Sequence, residues 1–316
     1  MFAVKGAAEP ACGGTNRPRH RFGAHLSIAG GMHRALEKAL HLHCDTVQVF
    51  VKNQRQWRAA PLDPADVAHW HELRDTPGFG PPVAHATYLI NLASPRRTLA
   101  ALSERALTEE MRRCAVLAIP YLVLHPGSAV GSARKPAITR VARALSRVLA
   151  RSPQLPIMPL LETTAGQGST LGDTFEELAE IIDRVESPQR VGVCVDTCHV
   201  FAAGYDIRRP DRYQALTDLA ARTVGLARIR CWHVNDSRAE CGAHLDRHEH
   251  IGRGRLGRAA FENLLADPRF FDVPMILETP KGVDRAGRDW DRVNVRRLRD
   301  IERRCGPPRA SQRPPV

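Results

Sequence analysis

The chain alternates short apolar segments with longer segments that suit helices, and this alternation constrains the fold more than any other feature. Such a pattern is typical of βα units, in which parallel strands are covered by helices. We predict strands at 22–26, 46–51, 82–86, 121–125, 157–162, 191–196, 229–234 and 274–278. We predict helices at 32–43, 64–74, 98–117, 137–150, 175–185, 211–224, 258–265 and 292–304.

The number of strand–helix pairs favours one α/β architecture. Eight strands, each followed by a helix without a linker-like break, predict a single (β/α)8 TIM barrel, with an open doubly wound sheet as the alternative. A chain of 316 residues can hold such a barrel as one domain, which we place at 21–304. The segments 1–20 and 305–316 lack periodicity and are rich in Pro and Arg, so we expect disordered tails, the first of them basic.

Composition argues against a membrane-spanning protein and a disulfide scaffold. No apolar run approaches the roughly 20 residues that cross a bilayer. The eight cysteines form no Cys-x-x-Cys pair, and several lie inside apolar segments, as buried thiols of a reducing compartment do. The start lacks the apolar core of a signal peptide, so we expect a cytoplasmic protein, and we also expect a monomer. A net charge of +12 favours an anionic partner such as nucleic acid, although many basic proteins bind none.

Side chains that can bind metals end six consecutive predicted strands. They are separated by 34 to 45 residues, about one βα unit each time: His85, His125, Glu162, Asp196, His233 and Glu278. Because the carboxyl ends of parallel strands meet at one mouth, we expect these side chains to converge there. A single strand-end His or Asp is usually structural, but six in register are hard to ascribe to packing. The sequence therefore predicts a metal site at the carboxyl face of the strands.

The residue types in this set indicate which metals it would bind. Imidazole and carboxylate ligands without thiolates suit Zn²⁺, with Mn²⁺ and Fe²⁺ as alternatives. Six ligands are too many for one tetrahedral ion, and His199, Asp246 and His248 are further candidates after the sixth and seventh strands. Nine ligands would serve three ions if one carboxylate bridges two of them. Clustered divalent ions are the usual machinery of phosphate ester hydrolysis.

Several segments of the chain carry a family resemblance. They are GAHLSIAGG (23–31), KNQRQW (52–57), HATYLINL (85–92), LHPGS (124–128), ETTAGQG (162–168), VGVCVDTCHVFAAGYD (191–206), HVND (233–236), LDRH (245–248) and ILET (276–279). On these segments the chain closely resembles the endonuclease IV family of zinc-dependent abasic-site endonucleases. The segments occur in order and at family-like spacing, which makes the resemblance far more specific than any single motif.

The resemblance implies a TIM barrel that holds three zinc ions. One ion would be held by His85, His125 and Glu162, a second by Glu162, Asp196, His233 and Glu278, and the third by His199, Asp246 and His248. The expected catalytic residues are Glu162, which is shared between two ions, and Glu278, which would orient the attacking water or accept its proton.

The resemblance also implies the substrate. The family cleaves the phosphodiester 5′ to an abasic site in duplex DNA, leaving a 3′-hydroxyl and a 5′-deoxyribose phosphate, and it trims blocked 3′ ends. Arg55, Tyr88 and Leu89 match the positions that enter the DNA at the lesion. Tyr and Leu can wedge between bases, and an abasic nucleotide costs least to extrude because it has little stacking to lose. The alternatives are a solvated charge for Arg55 and buried loop anchors for Tyr88 and Leu89.

Three positions depart from residues that are common in the family. Ala86 replaces the Asp of HDSYLIN, Thr163 replaces the Asn of ENTAGQG, and Arg253 stands in HIGRG where an acidic residue is frequent. These departures leave the ligand set intact but put in question how the ligands are oriented and how the loop is charged.

Two other functions stay open on the sequence alone. A metal-dependent sugar isomerase or epimerase on a related barrel would use His and Glu ligands in the same mouth, but with fewer ions and no wedge residues. A noncatalytic DNA-binding module would bind DNA without metal and without cleaving it.

Overall fold

Eight parallel strands pair side by side and close into a barrel in the part of the chain that the structure, a computed structural model, describes, residues 19–305. In chain order the eight barrel strands are β1 Arg21–Leu26, β2 Thr46–Phe50, β3 Val83–His85, β4 Tyr121–Leu124, β5 Met158–Glu162, β6 Gly192–Asp196, β7 Ile229–His233 and β10 Pro274–Leu277. Two short strands, β8 Asp236–Ser237 and β9 His248–Glu249, lie between β7 and β10 in the chain. The barrel closes because β1 pairs with both β2 and β10, while β8 and β9 form a separate antiparallel pair. The predicted TIM barrel is confirmed.

Helices follow the barrel strands and cover their outer side. They are α1 Met32–His41, α2 Pro64–Arg74, α3 Arg97–Val116, α4 Arg134–Ala150, α5 Phe175–Asp183, α6 Thr197–Ala202, α7 Pro210–Arg222, α8 Gly257–Leu265 and α9 Trp290–Cys305. In α1 the buried residues recur at helical spacing, namely Met32, Ala35, Leu36 and Ala39. The Asp63 side chain caps α2 by accepting a hydrogen bond from Ala65 N, ahead of the Pro at its first position. Within residues 19–305, no helix combines the length and the apolar character needed to cross a membrane.

The inside of the barrel is built in layers. A floor of six buried residues fills the interior: Val83, Val123, Leu160, Cys194, Cys231 and Ile276. Each of them stands two positions before one of the six predicted strand-end ligands. Successive side chains of a strand alternate between its faces, so residues two apart point the same way. The same alternation that fills the barrel therefore aims the ligands into its mouth, above an apolar floor.

The predicted tails lie mostly outside the described residues, which exclude 1–18 and 306–316. Of the described part, His20 is buried, and its Nδ1 lies 2.9 Å from Glu302 Oε1 on α9. Cys305 is the last residue of α9. The ordered contacts of the barrel therefore include the residue before the predicted domain start.

Candidate metal centre

Glu162 lies at the centre of the predicted metal site, and its two carboxylate oxygens face different histidines. Oε2 is 3.1 Å from His125 Nε2 and 3.2 Å from His85 Nε2. Oε1 is 2.8 Å from His233 Nδ1 and 3.4 Å from His199 Nδ1. Glu162 ends β5 and is fully buried, so this one carboxylate is shared between two groups of ring nitrogens. A ligand that bridges two ions needs its oxygens divided in this way.

Two more carboxylates approach the cluster beside His233. Its Nδ1 is 3.2 Å from Glu278 Oε2 and 3.9 Å from Asp196 Oδ2. Asp196 ends β6, His233 ends β7 and Glu278 directly follows β10. These three strands are neighbours in the barrel and run parallel, so their last side chains meet at one edge.

A third group of donors surrounds Asp246. Its Oδ2 is 3.2 Å from His199 Nε2, and its Oδ1 is 3.3 Å from His248 Nε2. His199 lies on the short helix α6, which is capped by Asp196, whose Oδ1 accepts a hydrogen bond from His199 N at 2.9 Å. His248 begins β9, whose pairing with Ser237 of β8 carries it back to the barrel mouth. The structure thus brings all nine predicted ligands together at the carboxyl end of the strands.

Hydrogen bonds fix the tautomers of four rings in this cluster. A backbone carbonyl oxygen can only accept, so a ring nitrogen facing one carries the proton. Three rings donate Nδ1–H in this way: His85 to Ala86 at 2.7 Å, His199 to Thr163 at 2.8 Å and His248 to Glu278 at 3.1 Å. In His233 it is Nε2–H that donates, to Gln48 Oε1 at 2.8 Å. When such a ring is neutral, as a metal ligand must be, its other nitrogen presents a lone pair to the cluster.

These lone pairs face carboxylate oxygens or one another. His199 Nε2 and His248 Nε2 are 3.4 Å apart, and both face the Asp246 carboxylate. Two lone pairs and a carboxylate repel at such distances unless protons or a cation lie between them. Imidazole nitrogens and carboxylate oxygens are the donors that zinc and similar divalent ions take in proteins. The donor set therefore fits a cluster of divalent metal ions.

Burial and charge oppose each other at the acids of the cluster. Burial acts to raise the pKa of Glu162 and of Glu278, but the charge of His233 and the neighbouring rings holds both well below their usual range. Burial also acts to raise the pKa of Asp246, yet the hydrogen bond and charge of His199 bring it to about 2. All three acids are carboxylates at neutral pH, so the cluster attracts positive charge.

Three polar residues of the site were not predicted from the sequence. Gln48 Nε2 donates to Glu278 Oε1 at 2.7 Å, and His25 Nδ1 lies 3.0 Å from the same oxygen. Asn235 Nδ2 donates to Asp196 Oδ2 at 2.7 Å, while its Oδ1 accepts from Glu278 N at 2.7 Å. His25 stands one residue before the end of β1 and is close to the pattern of strand-end polar residues, whereas Gln48 is the middle residue of β2 and falls outside that pattern.

The residues predicted to contact DNA lie on loops beside the metal cluster. Tyr88 is 62% exposed, and its ring centroid is 5.5 Å from that of His85. Leu89 is half-buried next to it, and Arg55 is exposed in the loop after β2. The exposure of Tyr88 argues against the buried-anchor alternative for that residue.

A buried glutamate on α3 joins the two loops that carry these residues. Glu110 accepts hydrogen bonds from Thr87 N at 3.1 Å and Thr87 Oγ1 at 3.2 Å, next to Tyr88. Its Oε1 also lies 3.5 Å from the ammonium of Lys52, at the start of the Arg55 loop. Sequence reasoning missed Glu110, although an acid among the apolar positions of a helix was a usable signal.

The sequence of the chain is similar to a protein-family model and to known bacterial proteins. The family model described as Xylose isomerase-like TIM barrel matches residues 36–300. The probable endonuclease 4 of Chloroflexus aurantiacus is 47% identical over 281 residues, which cover 89% of this chain and 98% of that relative. The probable endonuclease 4 of Geobacter sulfurreducens is 44% identical over 282 residues, with 89% and 94% covered. The chain belongs to the endonuclease IV family.

Solved structures agree with membership of the endonuclease IV family. The crystal structure of endonuclease IV from Thermus thermophilus superposes with a TM-score of 0.78 at 36% identity, covering 90% of this chain and 99% of that one. A D-tagatose 3-epimerase-like protein has a TM-score of 0.66 at 20% identity, covering 90% and 98%. The latter similarity shows a shared fold alone.

The structure shows the contacts at the three positions where the chain departs from residues common in the endonuclease IV family. At position 86 the backbone carbonyl orients His85, so no side-chain carboxylate is needed there for that hydrogen bond. Thr163 Oγ1 accepts a hydrogen bond from Asp196 N at 2.9 Å and thereby supports a predicted ligand. The Arg253 guanidinium lies 4.6 Å from the centre of the Trp290 ring, so its charge is held on an aromatic face.

Proposed function

We propose that this chain is a DNA-repair endonuclease that hydrolyses the phosphodiester 5′ to abasic sites in duplex DNA. It leaves a 3′-hydroxyl and a 5′-deoxyribose phosphate, trims blocked 3′ ends, and acts as a cytoplasmic monomer with three zinc ions. The observation that carries the proposal is the convergence of nine nitrogen and oxygen donors around the shared carboxylate of Glu162. Relatives named endonuclease 4 support the reaction class.

The nine donors divide into the three groups described above, with Glu162 common to two of them. Zinc ions held there would lower the pKa of water and neutralise charge on the phosphate. The chain itself fixes the donors before any substrate arrives, because the outer nitrogens of His85, His199 and His248 are tied to backbone carbonyls. Such preorganisation avoids reorganisation during the reaction.

In this proposal Glu278 would orient the attacking water. Gln48 and His25 hold its Oε1, and His233 holds its Oε2. A carboxylate whose pKa is held well below the usual range is a weak base at neutral pH. Its strongest contribution is therefore to accept a hydrogen bond from the water and align it, rather than to remove its proton completely.

The surroundings of the cluster suit a nucleotide that lacks its base. A cavity of about 200 Å³ lies beside His85 and His125, with Tyr88 on its wall and the polar side chains of Asn91 and Ser128 in its lining. An abasic sugar is easy to extrude and has hydroxyl groups that such a lining can bind. The net charge of +12 would add affinity for the DNA backbone without sequence preference.

A nicking assay on a duplex with one synthetic abasic site tests the proposal. We expect the wild-type chain to cut 5′ to the site, and Glu162→Gln to lose on the order of 10³-fold in rate, as the loss of a major electrostatic contribution does. Glu180→Gln, at a solvent-accessible position of α5, is the matched control and should cut like wild type. Prolonged chelation should abolish cutting.

Three results would reject the proposal. Glu162→Gln cutting within tenfold of the wild-type rate would show that the shared carboxylate is not needed. Metal-independent binding of abasic DNA without any strand cleavage would instead indicate a DNA-binding module. Epimerisation of a free ketose in place of nicking would favour the sugar isomerase class.

A further inference from the structure

A second group of metal-binding side chains lies on the outside of the barrel, between α1 and α2. His33 and Glu37 are one turn apart on α1, and His69 projects from α2. One ligand atom from each of the three lies within 4.8 Å of the others. The rings of His33 and His69 stack with their centroids 4.6 Å apart. None of these residues belongs to the cluster in the barrel mouth.

The Asp66 carboxylate holds the His33 ring in an orientation that suits a metal ligand. Its Nδ1 lies 2.6 Å from Asp66 Oδ1, and the carboxylate also accepts hydrogen bonds from Met32 N at 2.7 Å and His33 N at 2.9 Å. Burial acts to raise the pKa of Asp66, but these hydrogen bonds lower it, so it is a carboxylate. A carboxylate that takes the proton-bearing nitrogen leaves Nε2 with its lone pair, the usual arrangement of metal-binding histidines.

Backbone geometry makes room for this pair. Gly31, before α1, has φ 127°, and a Cβ atom there would lie 2.8 Å from His33 Nδ1 and 3.2 Å from Asp66 Oδ1. A Cβ there would press on both the ring and the carboxylate, and the positive φ is itself one that favours glycine. The backbone at this helix start is therefore compatible only with glycine while the His33–Asp66 contact is kept.

We infer that His33, Glu37 and His69 form a separate site for one divalent transition-metal ion, with zinc as the probe of choice. Two imidazoles and one carboxylate are a donor set for such ions, and the partial exposure of the site leaves positions for water. The ion would bridge α1 to α2 on the outside of the barrel. Glu37 would exchange its contact with Arg34, 2.8 Å away and exposed, for the metal.

Zinc counting on the full-length, zinc-loaded protein tests this inference. After equilibrium dialysis at a series of free zinc concentrations, wild type should hold one zinc per chain more than His69→Ala. Glu37→Gln should weaken the additional site at least tenfold, and Asp66→Asn should weaken it about 10- to 100-fold by releasing the ring. His71→Ala, at a half-buried histidine of the same helix that contacts Val116 O, is the matched control and should keep the extra zinc.

The control measurement separates this site from the proposed function. All four variants should nick abasic DNA at the wild-type rate, which also shows that they are folded. Equal zinc content of wild type and His69→Ala at every free zinc concentration would overturn the inference, whatever the barrel mouth binds. Loss of the extra zinc in His71→Ala as well would overturn the assignment to this cluster.

Discussion

Tyr88 is the residue at which the proposed recognition of the lesion can be tested separately from the proposed chemistry at the metal cluster. Its ring is exposed but lies against Phe50 and His85, with centroid distances of 5.7 Å and 5.5 Å. A rigid aromatic side chain in this position can enter a gap in the base stack without moving the ligands. Tyr88 can therefore be mutated without removing any predicted metal ligand.

We predict that Tyr88→Ala weakens the preference for abasic over intact duplex DNA by about tenfold or more, because stacking on an aromatic side chain is worth roughly 1–3 kcal/mol. Competition binding with the two duplexes measures this preference, and metal content should not change. Val116→Ala is a control at another exposed apolar residue, at the end of α3. An equal loss of affinity for both duplexes would assign Tyr88 to general DNA binding.

At the scale of elements, the β8–β9 pair holds His248 beside His199 and Asp246, the other two members of the third donor group. Asp236 in β8 is fully buried, and its carboxylate accepts hydrogen bonds from the backbone N–H of Ser237, Gly254, Leu256 and Gly257 at 2.8 to 3.3 Å. The chain between β8 and α8 carries Asp246 and His248. One carboxylate thus anchors both ends of the segment that brings these two ligands to the mouth.

Asp236→Ala should lower the free energy of unfolding by about 2–4 kcal/mol, because it leaves buried N–H groups without an acceptor. It should also weaken metal binding by the donor group of His199, Asp246 and His248, since Asp246 and His248 lose their support. Urea denaturation and metal counting check the two effects. Asp211→Ala, at an exposed position that pairs with Arg209, should change stability by less than about 0.5 kcal/mol. An Asp236→Ala protein with wild-type stability would contradict the anchoring role.

Much of this arrangement was predictable because it depends on local spacing. The alternation of strands and helices and the register of strand-end ligands repeat about once per βα unit, so both follow from the sequence. The two-residue strands β8 and β9 carry no such periodicity. Glu110 meets Thr87 and Lys52 only through the tertiary fold, and no spacing in the sequence records those contacts. The residue types and the order of the nine predicted ligands follow from the sequence, but the hydrogen bonds that support them do not.

At the scale of the whole molecule, the barrel explains how so many charged groups are kept together. The floor of buried side chains, from Val83 to Ile276, closes the interior beneath the ligands. Above it, Glu162 and Asp196 are buried and Glu278 is only partly exposed, and all three carboxylates lie within 3.9 Å of His233 Nδ1, which is costly without compensating positive charge. A metal cluster at this site would supply that charge, and we propose that the ions are part of the folded molecule rather than an addition to it.

Anomalous diffraction at the zinc absorption edge, on crystals of the full-length protein, tests the central claim most directly. We expect three peaks at the barrel mouth, each about 2.0–2.2 Å from nitrogen or oxygen atoms of its own donor group, with Glu162 in contact with two of them. A single peak, or none within reach of Glu162, would contradict it.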